Sequence, residues 1–191
     1  FSLIMKKEGV DFSTAVEILA KKAGVELEEA SSSYNKDEAK KRREEKENLY
    51  DLYSRLSNAF HYLLVSSKEG DNAREYLKKR NVSQEMIEKF QLGYAPFNKD
   101  WLYNFLKNKG YSDAFLKQSG LFSQKSEKWP LFRGRLMFPI RDRQGRTIAF
   151  SGRDLTGDEK APKYINSPET QIYQKKENYF GLYEAKNTIA E

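Results

Sequence analysis

Apolar residues recur at helical spacing through the first two thirds of the chain and then alternate with a period of two. In DFSTAVEILAKKAG, Val16, Leu19, Ala20 and Ala23 repeat every three or four positions, with Ser13 as an N-cap and Gly24 as a stop. Residues 1–24 therefore read as two short helices, the first of which, FSLIM, opens without a cap of its own. Residues 25–47 contain few apolar positions, a Ser triplet and alternating charge blocks, and read as a linker running into the solvated start of a helix. Glu44, Glu45 and Glu47 stand at spacings that pair with the bases of the preceding KKRR run and cancel their field.

From Asn48 the pattern sharpens. Leu49, Leu52, Tyr53, Leu56, Phe60, Leu63 and Leu64 make a broad apolar stripe on one helix. His61 lies beside that stripe with no second ligand-type residue one turn away, which favours a structural role over metal binding. Short helices follow around Ala73, Tyr76 and Leu77, in SQEMIEKF, in NKDWLYNFLKNKG and in YSDAFLKQSG. QLGYAP is a brief strand closed by Pro96. After Gly120, RLMFPIRD and RTIAFSGRDL alternate as strands joined by a turn at RQGR, KYIN is a third strand, and GLYEAKNTIAE restarts a helix. Helices first and strands later predict an α+β fold, a helix-rich N-terminal part followed by a small, mainly antiparallel sheet.

Composition narrows the chemistry. Aromatic residues make up 14% of the 191, too many for a disordered chain. The absence of Cys excludes a disulfide scaffold, a thiol nucleophile and any zinc site with cysteine ligands within these residues. A single His removes most Ser–His and multi-His metal schemes. No apolar run approaches the length of a membrane span, and FSLIMKKEG lacks the order and cleavage site of a signal peptide. These features lead us to expect a soluble, cytoplasmic protein without a membrane partner.

The net charge of +6 is modest, but its distribution is not. Between Lys128 and Lys163 stand nine basic residues, mostly Arg, against four acids, so most of the excess falls in one stretch. Arg interleaved with Phe132, Phe138, Phe150 and Tyr164 suits a sheet that faces a polyanion, since guanidinium groups grip phosphate in a planar, two-pronged way. The glycines form no phosphate-cradling loop ahead of a helix, and no D-x-D cluster is present to hold magnesium. The residues alone thus leave three readings: part of a nucleic-acid enzyme, a non-enzymatic single-strand-binding module, or a structural domain.

Four segments carry a resemblance that goes further. FSLIMKKEGVDFSTAVEILAKKAGV, YLKKRNVSQEMIEKFQLGYAP, FRGRLMFPIRDRQGRTIAFSGRDL and PKYINSPET with the later QKKENYFGLYEAK resemble, in order and spacing, the bacterial-type replicative DNA primases. The resemblance implies that residues 1–24 are the last helices of a zinc-binding domain whose ligands are absent here. It implies that 25–47 link to the core, and that 48–191 are the N-terminal subdomain of the RNA polymerase core, ending short of a magnesium-binding Toprim fold. Such an enzyme is a nucleotidyltransferase that makes short RNA primers on single-stranded DNA. This segment would supply the basic wall on which template lies, would bind no cofactor itself and would be inactive alone.

Zinc and magnesium are implied for the full-length protein. The implied partners are single-stranded DNA template, RNA primer, ribonucleoside triphosphates and, through a C-terminal domain absent here, a replicative helicase; a monomer is expected. Matched residue by residue, Arg80, Arg153 and Lys163 fall on template- or active-site-facing positions, and Lys175 on a basic position near the primer. Arg133 and Arg135 form a further basic pair, and Asn166 opens a polar turn, NSPET, stiffened by Pro168. The chain departs from the family pattern at EKWPLFRGR, where Trp-Pro-Leu replaces a Tyr-Asp-Arg type of run.

Overall fold

The structure, a computed structural model, describes residues 2–10, 12–23, 33–123 and 126–189. Residues 24–32, which include the first part of the expected linker, lie outside the described residues, and the rest of that linker is helical. The chain forms two compact units, Phe1–Arg43 and Glu44–Glu191. In the first, α1 (Ser2–Glu8) and α2 (Phe12–Ala23) contact each other, and Ala15 is fully buried. Ser13, expected as a cap, instead lies within α2, which begins one residue earlier. The long helix α3 (Ser33–Ser66) runs through the boundary between the units.

The second unit is organised by the apolar stripe of α3. Leu49, Leu52, Tyr53, Leu56, Phe60 and Leu64 are all buried, whereas the charged residues 37–44 are exposed, so one helix passes from wet to dry as its composition changes. Its C-terminal carbonyls are satisfied by a side chain: Arg74 Nη1 donates to Leu64 O at 2.5 Å and to Ser67 O at 2.9 Å. A 3-10 turn, Lys68–Gly70, leads into α4 (Asp71–Lys79), and α5 (Gln84–Lys89) is capped by Ser83, whose hydroxyl accepts from Met86 N–H. His61 is structural, as expected. Its Nδ1 meets Leu92 O at 2.7 Å and its Nε2 meets Glu88 Oε2 at 2.9 Å, tying α3 to the segment after α5.

The main sheet is antiparallel throughout, in the order β1 (Gly93–Ala95), β4 (Arg135–Arg141), β5 (Thr147–Asp154), β6 (Tyr164–Asn166). Both faces are covered. One carries Met137 and Phe150 against α3, α6 (Trp101–Asn108) and α7 (Asp113–Gln118); the other carries Tyr94 and Leu136 against α4 and α5. Gly93 lets β1 lie directly on α3, because a Cβ there would stand 2.6 Å from Phe60 Cβ. A small two-stranded sheet, β2 (Phe122–Ser123) with β3 (Ser126–Pro130), was not foreseen from the sequence. Its strands are short and polar, and only pairing makes them strands. The last helix, α8 (Leu182–Ile189), is anchored by Glu184, which forms a 2.8 Å ion pair with Arg141.

Candidate nucleic-acid interface

In antiparallel pairing, residues directly opposite share a face. Arg153 lies opposite Leu136 on β4 and Tyr164 on β6, and Ser151 lies opposite Phe138 and Asn166. Arg153, Tyr164 and Asn166 therefore share the sheet face on which α4 packs. At the end of α4 the two expected arginines meet around one ring: Arg153 stands 4.4 Å from the Tyr76 centroid and Arg80 stands 5.4 Å from it. The Arg153 guanidinium is also 5.9 Å from the Tyr164 ring. Rings and cations thus alternate as Arg80, Tyr76, Arg153, Tyr164, a row whose π faces hold the guanidiniums in place.

The charges in this row are not neutralised. Arg80 and Tyr164 are exposed, and among the described residues neither Arg80 nor Arg153 has a carboxylate within ion-pair distance. Arg153 Nη1 donates to Asp154 O at 2.5 Å, while its Nε is buried without a hydrogen-bond partner. A partly desolvated cation with no carboxylate partner gains from an anion that reaches its guanidinium.

Lys163 and Asn166 are exposed at the start and end of β6. The backbone around Lys163 is fixed by the Asp154 N–H, which donates to Lys163 O at 2.9 Å. The turn after Asn166 is pinned from within: Ser167 is fully buried and exchanges two bonds with Phe150, accepting from its N–H through Oγ at 3.0 Å and donating its own N–H to Phe150 O at 2.9 Å. Lys175 is exposed on the following loop, where its N–H donates to Glu169 Oε1 at 3.1 Å.

Arg135, also expected at the site, sits differently from Arg153. It is 6% exposed and points to the other face of the sheet, where Nη1 donates to Gly152 O at 3.2 Å and Pro162 O at 2.9 Å. Asp154 lies 3.7 Å from Nη2. Burial pulls the pKa of Arg135 down and the nearby Asp154 carboxylate partly offsets this. With Nη1 bonded to both carbonyls, Arg135 holds the two ends of the loop that delivers Lys163. Arg133, its expected companion, stands apart from the row, between the rings of Phe97 and Trp129 at 4.7 and 4.6 Å.

Tyr76 is the residue that sequence reasoning missed. It looks like one more apolar position of α4, yet its spacing of four residues from Arg80 places the two on one helix face, a signal that could have found it. Among the described residues no group of three or more His, Cys, Asp or Glu could hold a metal ion. No described helix is long and apolar enough to cross a membrane.

Comparison with known proteins agrees with the geometry. Residues 60–186 match the family described as DNA primase catalytic core, N-terminal domain. The DNA primase of Treponema pallidum is 39% identical over 187 residues, 94% of this chain and 29% of that protein. A solved DnaG primase catalytic domain bound to single-stranded DNA is 38% identical with a TM-score of 0.67, covering 78% of this chain and 46% of that one. The zinc-binding and RNA polymerase domains of the Aquifex aeolicus primase are 32% identical with a TM-score of 0.66, covering 98% of this chain and 43% of that one. The chain spans about a third of the length of the curated relatives it matches. An α+β core with its sheet between two helical layers, matched by family over most of its length and by fold to solved primase domains, places this chain in the bacterial-type DNA primases, as the N-terminal region of their catalytic core.

Proposed function

We propose that the chain is the template-binding part of a DNA primase, an RNA polymerase that lays short primers on single-stranded DNA for replication. One observation carries this: Arg80 and Arg153 share the Tyr76 ring and face no described carboxylate. Two fixed guanidiniums flanked by rings can neutralise phosphates and stack on bases without reading them. That suits an enzyme that must copy any sequence. Lys163, Asn166 and Lys175 extend the polar surface toward primer and nucleotide, while Arg135 shapes the loop behind them. The solved relative, a primase catalytic domain bound to single-stranded DNA, supports a nucleic-acid partner for this region.

The residues fit neither zinc nor magnesium: there is no Cys, the lone His61 is engaged by Glu88 and Leu92 O, and among the described residues no group of three or more His, Cys, Asp or Glu could hold an ion. Metal chemistry is therefore assigned to a zinc-binding domain and a Toprim fold in a longer protein, and no step is derived through it. In this reading residues 1–24 are the end of that zinc domain, 25–47 the link and 48–191 the polymerase subdomain; likeness over 98% of this chain to a structure that holds both domains supports a chain that spans the two. Substrates are ribonucleoside triphosphates, and the helicase contact belongs to another domain.

Primer synthesis by the full-length enzyme tests the assignment. Arg153→Ala and Lys163→Ala should each lower priming by about tenfold at limiting template, the loss of one charge-assisted contact, with circular dichroism unchanged. Priming equal to wild type by both variants would contradict it.

A further inference from the structure

Beneath the turn that follows Asn166 lies a set of buried hydroxyl groups. Tyr53, within the apolar stripe of α3, is fully buried, with its ring stacked on Phe150 at a centroid distance of 5.5 Å. Packing of that ring needs no hydroxyl, and a buried hydroxyl costs stability unless it is bonded. The Tyr53 hydroxyl donates to Ser119 O at 2.8 Å and is also hydrogen-bonded by the side chain of Ser167. Ser119 and Ser167 are as fully buried as Tyr53. Burial pushes the pKa of the phenol well above its ordinary value, so its O–H stays a donor.

Each hydroxyl of the set ends on backbone that borders the turn. Ser119 Oγ donates to Leu116 O at 2.6 Å and accepts from Leu121 N–H at 3.3 Å, which closes α7. Ser167 Oγ holds the Phe150 N–H of β5. Between Ser119 and Leu121 stands Gly120, left-handed at φ +73°, and the turn rests directly on it. A Cβ there would lie 3.1 Å from Pro168 Cγ and 3.0 Å from Thr170 Cγ2. The far end of the turn is closed by Thr170 and Tyr173, whose backbones bond each other at 3.1 and 3.3 Å. Exposed Asn166 and Lys175 flank this segment, so whatever fixes it fixes where both side chains stand.

We propose, resting on the reading of Asn166 and Lys175 as facing primer and nucleotide, that Tyr53 and Ser167 form a buried latch that positions residues 166–175 for the incoming ribonucleotide. Both are positioning residues: they act through the turn and touch no substrate. A loosened turn must be reordered at each binding event, and apparent affinity falls with the fraction of time it is out of place. The row around Tyr76 lies across the sheet from Tyr53 and keeps its grip on template.

Primer synthesis by the full-length enzyme tests the latch with Tyr53→Phe, Ser167→Ala and the double variant. Both substitutions remove a hydroxyl without removing a ring or a methylene. Each should raise KM for ribonucleoside triphosphate about fivefold, the loss of one buried hydrogen bond. Turnover at saturating nucleotide and template affinity by anisotropy should stay as in wild type. Enzyme lost to unfolding lowers kcat and leaves KM alone, so KM reports on the latch even in a variant that folds poorly. Because the two hydroxyls act as a unit, the double variant should match Ser167→Ala and not multiply the two effects.

Wild-type KM in either single variant overturns the latch, and so do effects that multiply in the double variant. Asn166→Ala in the same assay keeps this failure apart from that of the underlying reading. A raised KM in Asn166→Ala, with wild-type KM in the latch variants, sinks only the latch. Wild-type KM in all of them sinks the nucleotide-facing turn as well. A raised KM in the latch variants alone supports the latch and moves the contact it serves to Lys175.

Discussion

Arg135 and Arg153 are partners of the same two strands, yet the pleat sends them to opposite faces and to different work. Arg153 keeps an unused donor beside two rings, whereas Arg135 spends its Nη1 on carbonyls inside the fold. Arg135→Met should therefore cost about 2–3 kcal/mol of stability, by stranding two buried acceptors and a carboxylate that is only 9% exposed. Chemical denaturation would show this as a lower midpoint with an unchanged slope; a midpoint equal to wild type would refute the bracing role. At Tyr76 the ring is what matters, not the hydroxyl. Tyr76→Phe should bind single strands as wild type does, while Tyr76→Ala should weaken binding by roughly 1 kcal/mol or more as two cation–π contacts are lost. Equal binding by both would mean that the ring does not set the geometry. Sequence alone exposed the charges of Arg80 and Arg153 but not the ring between them, because that contact joins residues 77 positions apart in Tyr76 and Arg153.

At the scale of elements, what could be read from the sequence follows from how each element is stabilised. The apolar stripe of α3, the Ser83 cap and the alternation of β4 and β5 are local patterns, and all three stand in the structure. The β2–β3 pair carries no such pattern; its Leu131 N–H to Leu121 O bond of 2.8 Å closes a hairpin whose strands are too short and polar to announce themselves. The burial of Arg135 was equally hidden. A sheet packed on both faces breaks the rule that a charged position in a strand points to water. The layers approach closely at Gly93, where an added Cβ would stand 2.9 Å from the Phe60 carbonyl carbon. Backbone cannot yield there as a side-chain tip can. Gly93→Ala should destabilise the domain by about 3 kcal/mol, seen as a lower melting temperature with secondary structure retained below it. An unchanged melting temperature would mean that β1 and α3 can separate without cost.

For the molecule as a whole, the proposed division of labour is that this chain grips template without discrimination while chemistry takes place elsewhere. Phosphate contacts of that kind have a signature in salt. Each one removed lowers the magnitude of the slope of log affinity against log salt by about 0.7 for a single strand. Glu44→Lys, on the charged part of α3, serves as a control for net charge. The most direct test is anisotropy of a labelled single-stranded oligonucleotide, titrated with wild type and with the Arg153→Ala, Lys163→Ala double variant across a salt series. The account predicts a slope shallower by about 1.4 in the double variant, alike for different template sequences. An unchanged slope and affinity would contradict it, and the basic stretch between Lys128 and Lys163 would then be only a solvated surface.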